Sequence, residues 1–134
     1  MVDVSGWFTD STTTAGGSRF TTVGPQRILD TRAGFGSFED GGIATVQMAD
    51  TLSIGVTAVV ANFTIANATA ASYLTVWPGG STQPIASDLN YSGGQTVANL
   101  VIASLNGGGF NIYNAWGEPN LVIDLVGYYG PVGP

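Results

Sequence analysis

Apolar and polar positions alternate along this chain in short runs, and the runs end at Gly, Pro, Asn and Ser. A period of two marks a strand with one face covered, and those four residues mark turns. The pattern predicts strands over Val2–Phe8, Arg19–Val23, Arg27–Arg32, Ile43–Met48, Val56–Ala66, Tyr73–Trp77, Ile85–Tyr91, Thr96–Leu105, Phe110–Asn114 and Leu121–Tyr129. Gly24-Pro25 is expected to separate the second from the third, and Pro78-Gly79-Gly80 to stop the sixth. About ten strands roughly 10 residues apart predict an all-β sandwich with Gly/Pro/Asn-rich turns. No segment keeps a 3.6-residue period long enough for a substantial helix. Thr45–Ile54 has room for one turn, but Asp50, Thr51 and Gly55 oppose more. Two runs are apolar on both faces: Val59, Val60, Phe63, Ile65, and Val97, Leu100, Val101, Ile102. Both are expected inside the sandwich, covered on two faces.

One strand occurs twice. Val2-Asp3-Val4-Ser5-Gly6-Trp7-Phe8 and Ile123-Asp124-Leu125-Val126-Gly127-Tyr128-Tyr129 share the order aliphatic, Asp, aliphatic, any, Gly, aromatic, aromatic. Such self-similarity is the mark of repeat architecture. It divides the chain into residues 1–18, the terminal strand of a preceding repeat plus a linker, and residues 19–130, one sandwich module. Residues 131–134 (PVGP) then read as the start of the next linker. Thr9–Ser18 is polar and Gly-rich, as a linker is. The second copy of the strand is expected to complete its own sheet. The first then either adds to a sheet edge or inserts into a neighbouring subunit, the mode in which backbone hydrogen bonds give affinity and alternate side chains give register.

Composition narrows the function. The 134 residues can bury a core, and 44% are hydrophobic, which argues against disorder. Only 9% are charged, and the net charge is -6. The cations are Arg19, Arg27 and Arg32; there is no lysine. Nucleic acid is an unsuitable partner for such a chain, because phosphate recognition needs a basic patch. No apolar run approaches the ~20 residues of a membrane-spanning helix. Low charge with many Gly, Thr, Ser and Asn fits extracellular, cell-surface β proteins. With neither His, Cys nor Lys in the sequence, the usual bases, nucleophiles and Schiff-base formers are missing. Glu39, Asp40, Asp50 and Asp88 are too scattered to mark a carboxylate pair or a calcium loop. The chain is therefore read as a non-enzyme with no cofactor and no metal.

Three residue sets remain. In Pro25–Arg32, Arg27 and Arg32 flank Asp30, while Asp124 lies mid-strand between Val122 and Val126. Arginine pairs well with carboxylates through its planar fork. A structural ion-pair set of Arg27, Asp30, Arg32 and Asp124 is expected, with Asp124 buried; an anion or sugar site on the arginines is the sharper alternative. Asn62, Asn90, Asn99, Asn111 and Asn114 fall within strands, where Asn is depleted. They either cap loop and bulge backbone or form a polar row for sugar hydroxyls. Trp7, Trp77 and Trp116 lie near strand ends, with Tyr73, Tyr91, Tyr113, Tyr128 and Tyr129. Such rings fill a core or an interface, or stack on sugar; Trp77 and Trp116 are the glycan-platform candidates, Trp116 the more exposed of the two.

The segments Arg27–Arg32 (RILDTR), Ala61–Thr64 (ANFT), Tyr73–Pro78 (YLTVWP), Ser87–Asn90 (SDLN), Gly94–Leu100 (GQTVANL) and Ile123–Tyr129 (IDLVGYY) occur in this order. Together they resemble an uncharacterised β repeat module of secreted and cell-surface actinobacterial proteins, in which R-[IL]-L-D-T-R, G-Q-T-V-A-N-L and D-[LV]-V-G-Y-Y motifs recur. The resemblance covers about Arg19 to Tyr129 and implies an extracellular, non-catalytic accessory or structural module. It brings no ligand and no binding residues. The expected function is a structural or adhesive module that self-associates through Val2, Asp3, Val4, Trp7 and Phe8 into oligomers or filaments. The competing expectations are a carbohydrate-binding module for a surface or environmental polysaccharide, and an inert spacer.

Overall fold

The computed structural model describes residues 2–10, 12, 17–34, 36–48, 51–52 and 55–131. Its strands are β1 (Arg19–Asp30), β2 (Ile43–Gln47), β3 (Ala58–Ala66), β4 (Ser72–Pro78), β5 (Leu89–Tyr91), β6 (Val97–Ser104), β7 (Gly109–Asn114) and β8 (Asn120–Gly130). They form two four-stranded sheets, β1-β8-β3-β6 and β2-β7-β4-β5, and every neighbouring pair is antiparallel. No described residue is helical. The chain is an all-β sandwich.

Strand alternation builds the core. Ala61, Phe63 and Ile65 of β3 and Leu121, Ile123 and Leu125 of β8 point inward from the first sheet. Leu74 of β4 with Phe110 and Ile112 of β7 point inward from the second, and all nine are buried. Phe63 and Phe110 meet across the layers, ring centroids 6.1 Å apart. Asn114 is the polar exception, fully buried. Its Nδ2 donates to the carbonyls of Glu39 (3.0 Å) and Gly117 (2.8 Å), and its Oδ1 accepts from Ser72 Oγ (3.2 Å) and the Tyr91 hydroxyl. Every polar atom of that amide is thus satisfied, which is what lets it lie in a core.

The strand count is eight rather than ten, for two reasons. Gly24-Pro25 does not end a strand. The ladder steps from Thr22↔Gly127 to Gln26↔Leu125, so Val23, Gly24 and Pro25 form a bulge and β1 continues. Proline, which has no N–H to give, is tolerated at a bulge on an edge strand. Second, Val2–Phe8 joins no ladder; β8, its sequence twin, holds the place between β1 and β3. The predicted strand at Ile85–Tyr91 shortens to Leu89–Tyr91. Of the expected linkers, residues 11 and 13–16 and residues 132–134 lie outside the described residues, as do parts of the expected turn in Thr45–Ile54.

The two doubly apolar runs part company. β3 lies inside its sheet, and Val59 and Val60 are both buried although they point to opposite faces. β6 is an edge strand: Val101 and Ala103 are buried, whereas Leu100 is 58% and Ile102 42% exposed. The expectation of two covered faces fails for β6.

Candidate functional site

On the outer face of the first sheet one row of side chains crosses all four strands: Arg27 (β1), Asp124 (β8), Asn62 (β3) and Leu100 (β6). Arg27 grips Asp124 with Nε–Oδ1 at 2.9 Å and Nη2–Oδ2 at 3.3 Å, and reaches Asp30 Oδ2 at 3.3 Å. Arg32 holds Asp30 with Nε–Oδ1 and Nη2–Oδ2 at 2.8 Å each, and its backbone N–H adds a bond of 3.1 Å. The Arg32 guanidinium, followed by that N–H, holds the Asp30 carboxyl well below its ordinary range, at about 2. Asp124, expected to be buried, is instead partly open on the outer face, its side chain 26% exposed. Both arginines are about half exposed, and each is held to carboxylate through more than one of its nitrogens. The row therefore fixes how β1 lies on β8. Pro25, Val126 and Leu100 complete a shallow basin over it.

The arm formed by residues 2–8 lies outside both sheets. Val2, Val4, Trp7 and Phe8 are 89%, 82%, 84% and 87% exposed. No backbone-to-backbone bond joins residues 2–8 to a strand among the described residues. Asp3, Val4 and Ser5 line a groove of about 470 Å³ with Asp88, Asn99, Leu100 and Ile102, alongside the free edge of β6. Asp3 is exposed and makes no ion pair among the described residues, unlike Asp124 at the matching position. Its negative neighbour is Asp88. Burial raises the Asp88 carboxyl, the Val76 N–H (2.7 Å) opposes that, and the charge of Asp3 adds to the rise.

The strand asparagines do not form one row. Asn62 is on the outer face of the first sheet; Asn90 bonds Ser87 Oγ (3.2 Å), Asn99 bonds the Asp88 carbonyl (2.7 Å), and Asn111 accepts from Thr45 Oγ1 (2.7 Å). With Asn114 they serve loops and both sheets separately.

The tryptophans divide as well. Trp77, expected as a glycan platform, is instead 5% exposed with its Nε1 donating to the Ser81 carbonyl at 3.0 Å, and offers no ring face for stacking. Trp116 is 57% exposed. It stands edge-on to Tyr73 (5.7 Å, 86°), which stands edge-on to Tyr113 (6.2 Å, 63°). Sequence reading missed this three-ring strip and the free β6 edge. The signal for the first was the alternation of Tyr73 and Tyr113 with the core residues Leu74 and Ile112. No group of acidic residues that could hold a metal occurs among the described residues, and no helix there is long and apolar enough to cross a membrane. No family model, no curated protein and no solved structure matches this chain.

Proposed function

We propose that the chain is a non-catalytic structural module of the extracellular surface that self-associates head to tail, residues 2–8 of one copy adding to the β6 edge of the next. One observation carries this reading: an arm outside both sheets keeps four large apolar side chains 82–89% exposed. Apolar surface of that kind marks an interaction site. The alternation in Val2, Val4 and Phe8 against Asp3, Ser5 and Trp7 suits a strand with two different faces.

The acceptor follows by elimination. β8 is bonded on both sides, so insertion in its place has no room in a complete copy. Four edges remain. β5 has three residues and β2 has five. The β1 edge is broken by its bulge and Pro25. β6 offers eight residues without proline, paired to β3 in unbroken register, with Leu100 and Ile102 exposed beside the edge. Edges like this template further pairing unless they are blunted. A head-to-tail contact closes into rings or propagates as filaments. The lack of His, Cys and Lys supports a non-catalytic role, and the surface-protein resemblance supports the location. Deleting residues 1–18 and comparing particle mass by light scattering tests the reading. The full chain is expected to exceed the monomer mass and the truncated chain to match it; equal oligomers from both sink the proposal.

A further inference from the structure

We propose that the outer face of the second sheet, centred on Trp116, Tyr73 and Tyr113, binds a neutral polysaccharide. The three rings lie on the other sheet from the β6 edge, while Ser87 also lines the groove beside the arm.

The turn that carries Trp116 is fastened at every residue. The Trp116 N–H donates to Ser72 Oγ (2.9 Å), the Gly117 N–H to Asp40 Oδ1 (2.6 Å) and the Glu118 N–H to Thr69 Oγ1 (2.8 Å). The Gly117 carbonyl accepts from buried Asn114 (2.8 Å). Gly117 has φ of 71°, and a Cβ there would stand 2.7 Å from Thr69 Oγ1, so only glycine makes this turn without strain. Yet the indole so held is more than half in water. A rigid mount for an exposed aromatic is preorganisation: the ordering cost is met in folding rather than on binding.

The mount points to the ligand class. Tyr73 and Tyr113 continue the aromatic surface, and Ile43, paired to Tyr113 across the ladder, extends it at 60% exposure. Successive rings suit successive sugar units, whose C–H faces are apolar while their rims carry hydroxyls. Beside Tyr73 lies a recess of about 290 Å³ lined by Gln83, Ser87 and Asn90 among others. It is near the ~300 Å³ lower bound of small-ligand pockets. Two amides and a hydroxyl supply both donors and acceptors for sugar hydroxyls. Charge then excludes the anionic polymers: all three cations belong to β1 or the turn after it, in the other sheet, while Asp40 and Glu118 flank Trp116. A phosphate, sulfate or uronate chain would meet only like charge here.

Affinity electrophoresis of the full chain through gels containing hydroxyethyl cellulose, galactomannan or xylan, with alginate as the anionic probe, decides the matter. Retardation by at least one neutral polymer is expected. Trp116→Ala should weaken it about tenfold, the size of a lost aromatic contact, while Trp116→Phe restores part of it and Arg19→Ala leaves it unchanged. Circular dichroism of the Trp116 variants separates lost binding from lost folding; should Trp116→Ala unfold, Tyr73→Ala serves in its place with the same expected loss. Retardation by alginate alone, none by any polymer, or neutral-polymer retardation that survives both substitutions overturns the proposal. So does a fall in particle mass on Trp116→Ala, which would make the strip a contact between copies.

Discussion

Asp30 accepts bonds from both arginine side chains that flank it and from the Arg32 backbone. Its folded pKa of about 2 lies below the ordinary 3.8. A depressed carboxylate contributes stability that is complete above the ordinary value and is lost as pH falls toward the folded value. Denaturant melts of the wild type should therefore show stability dropping between about pH 4 and about pH 2, and Asp30→Asn should flatten that part of the profile. A wild-type-minus-variant difference that stays constant across this window would contradict the linkage. Asp88 has the opposite sign: burial raises it, so its contribution fades as pH rises through its folded value. The pairing at Arg27, Asp30 and Arg32 was legible because opposite charges lie within six residues of a chain that has few. The depth of Asp124 was not. A mid-strand carboxylate between valines looks buried, but the side-chain period says only that it opposes Ile123 and Leu125; the outer face is covered at Val60 and Val122 and opens at Asp124.

At the scale of the element, strand existence was readable and strand edges were not. Alternation finds β3, β4, β7 and β8 because each packs one face on the core. It cannot tell an inner strand from an edge one, since Leu100 and Val60 are equally apolar in sequence and differ only in what lies alongside. Nor does Gly-Pro distinguish a turn from a bulge. The bulge has a counterpart on β8. Gly127, opposite Thr22, leaves room for the Phe20 ring: an added Cβ would stand 2.4 Å from that ring and 2.8 Å from the Thr21 carbonyl. Phe20 in turn leans on Tyr129, centroids 5.3 Å apart. The glycine of the duplicated strand thus has a packing reason in its second copy. Gly127→Ala should cost about 1–3 kcal/mol by overpacking, read as a lower urea midpoint. Adding Phe20→Ala should recover only part, because the clash with the Thr21 backbone persists. Full recovery would show that the ring alone demands glycine.

For the whole molecule, the arm and the β6 edge are two halves of one proposed joint, and each can be disabled without touching the core. Leu100 is 58% exposed, so Leu100→Lys adds a charge beside the edge at little cost to folding, and lysine is among the residues that blunt strand addition. That variant keeps its arm but loses its acceptor. The chain without residues 1–18 keeps its acceptor but has no arm. Each alone is expected to be monomeric. Mixed, they have one working donor and one working acceptor between them, so growth must stop at a one-to-one heterodimer. The reverse mixture, Leu100→Lys with the full chain, should shorten the wild-type assemblies by capping acceptor ends. Sedimentation velocity across a range of mixing ratios distinguishes these outcomes from docking of the arm on its own domain, for which both variants and the mixture remain monomers. It also distinguishes them from a joint at the β1 edge, for which Leu100→Lys assembles as the full chain does. Because addition at an open edge needs no element to leave its sheet, the heterodimer should form within the mixing time. Slow assembly would instead point to exchange of β8 itself, with the arm competing for the place its twin holds between β1 and β3.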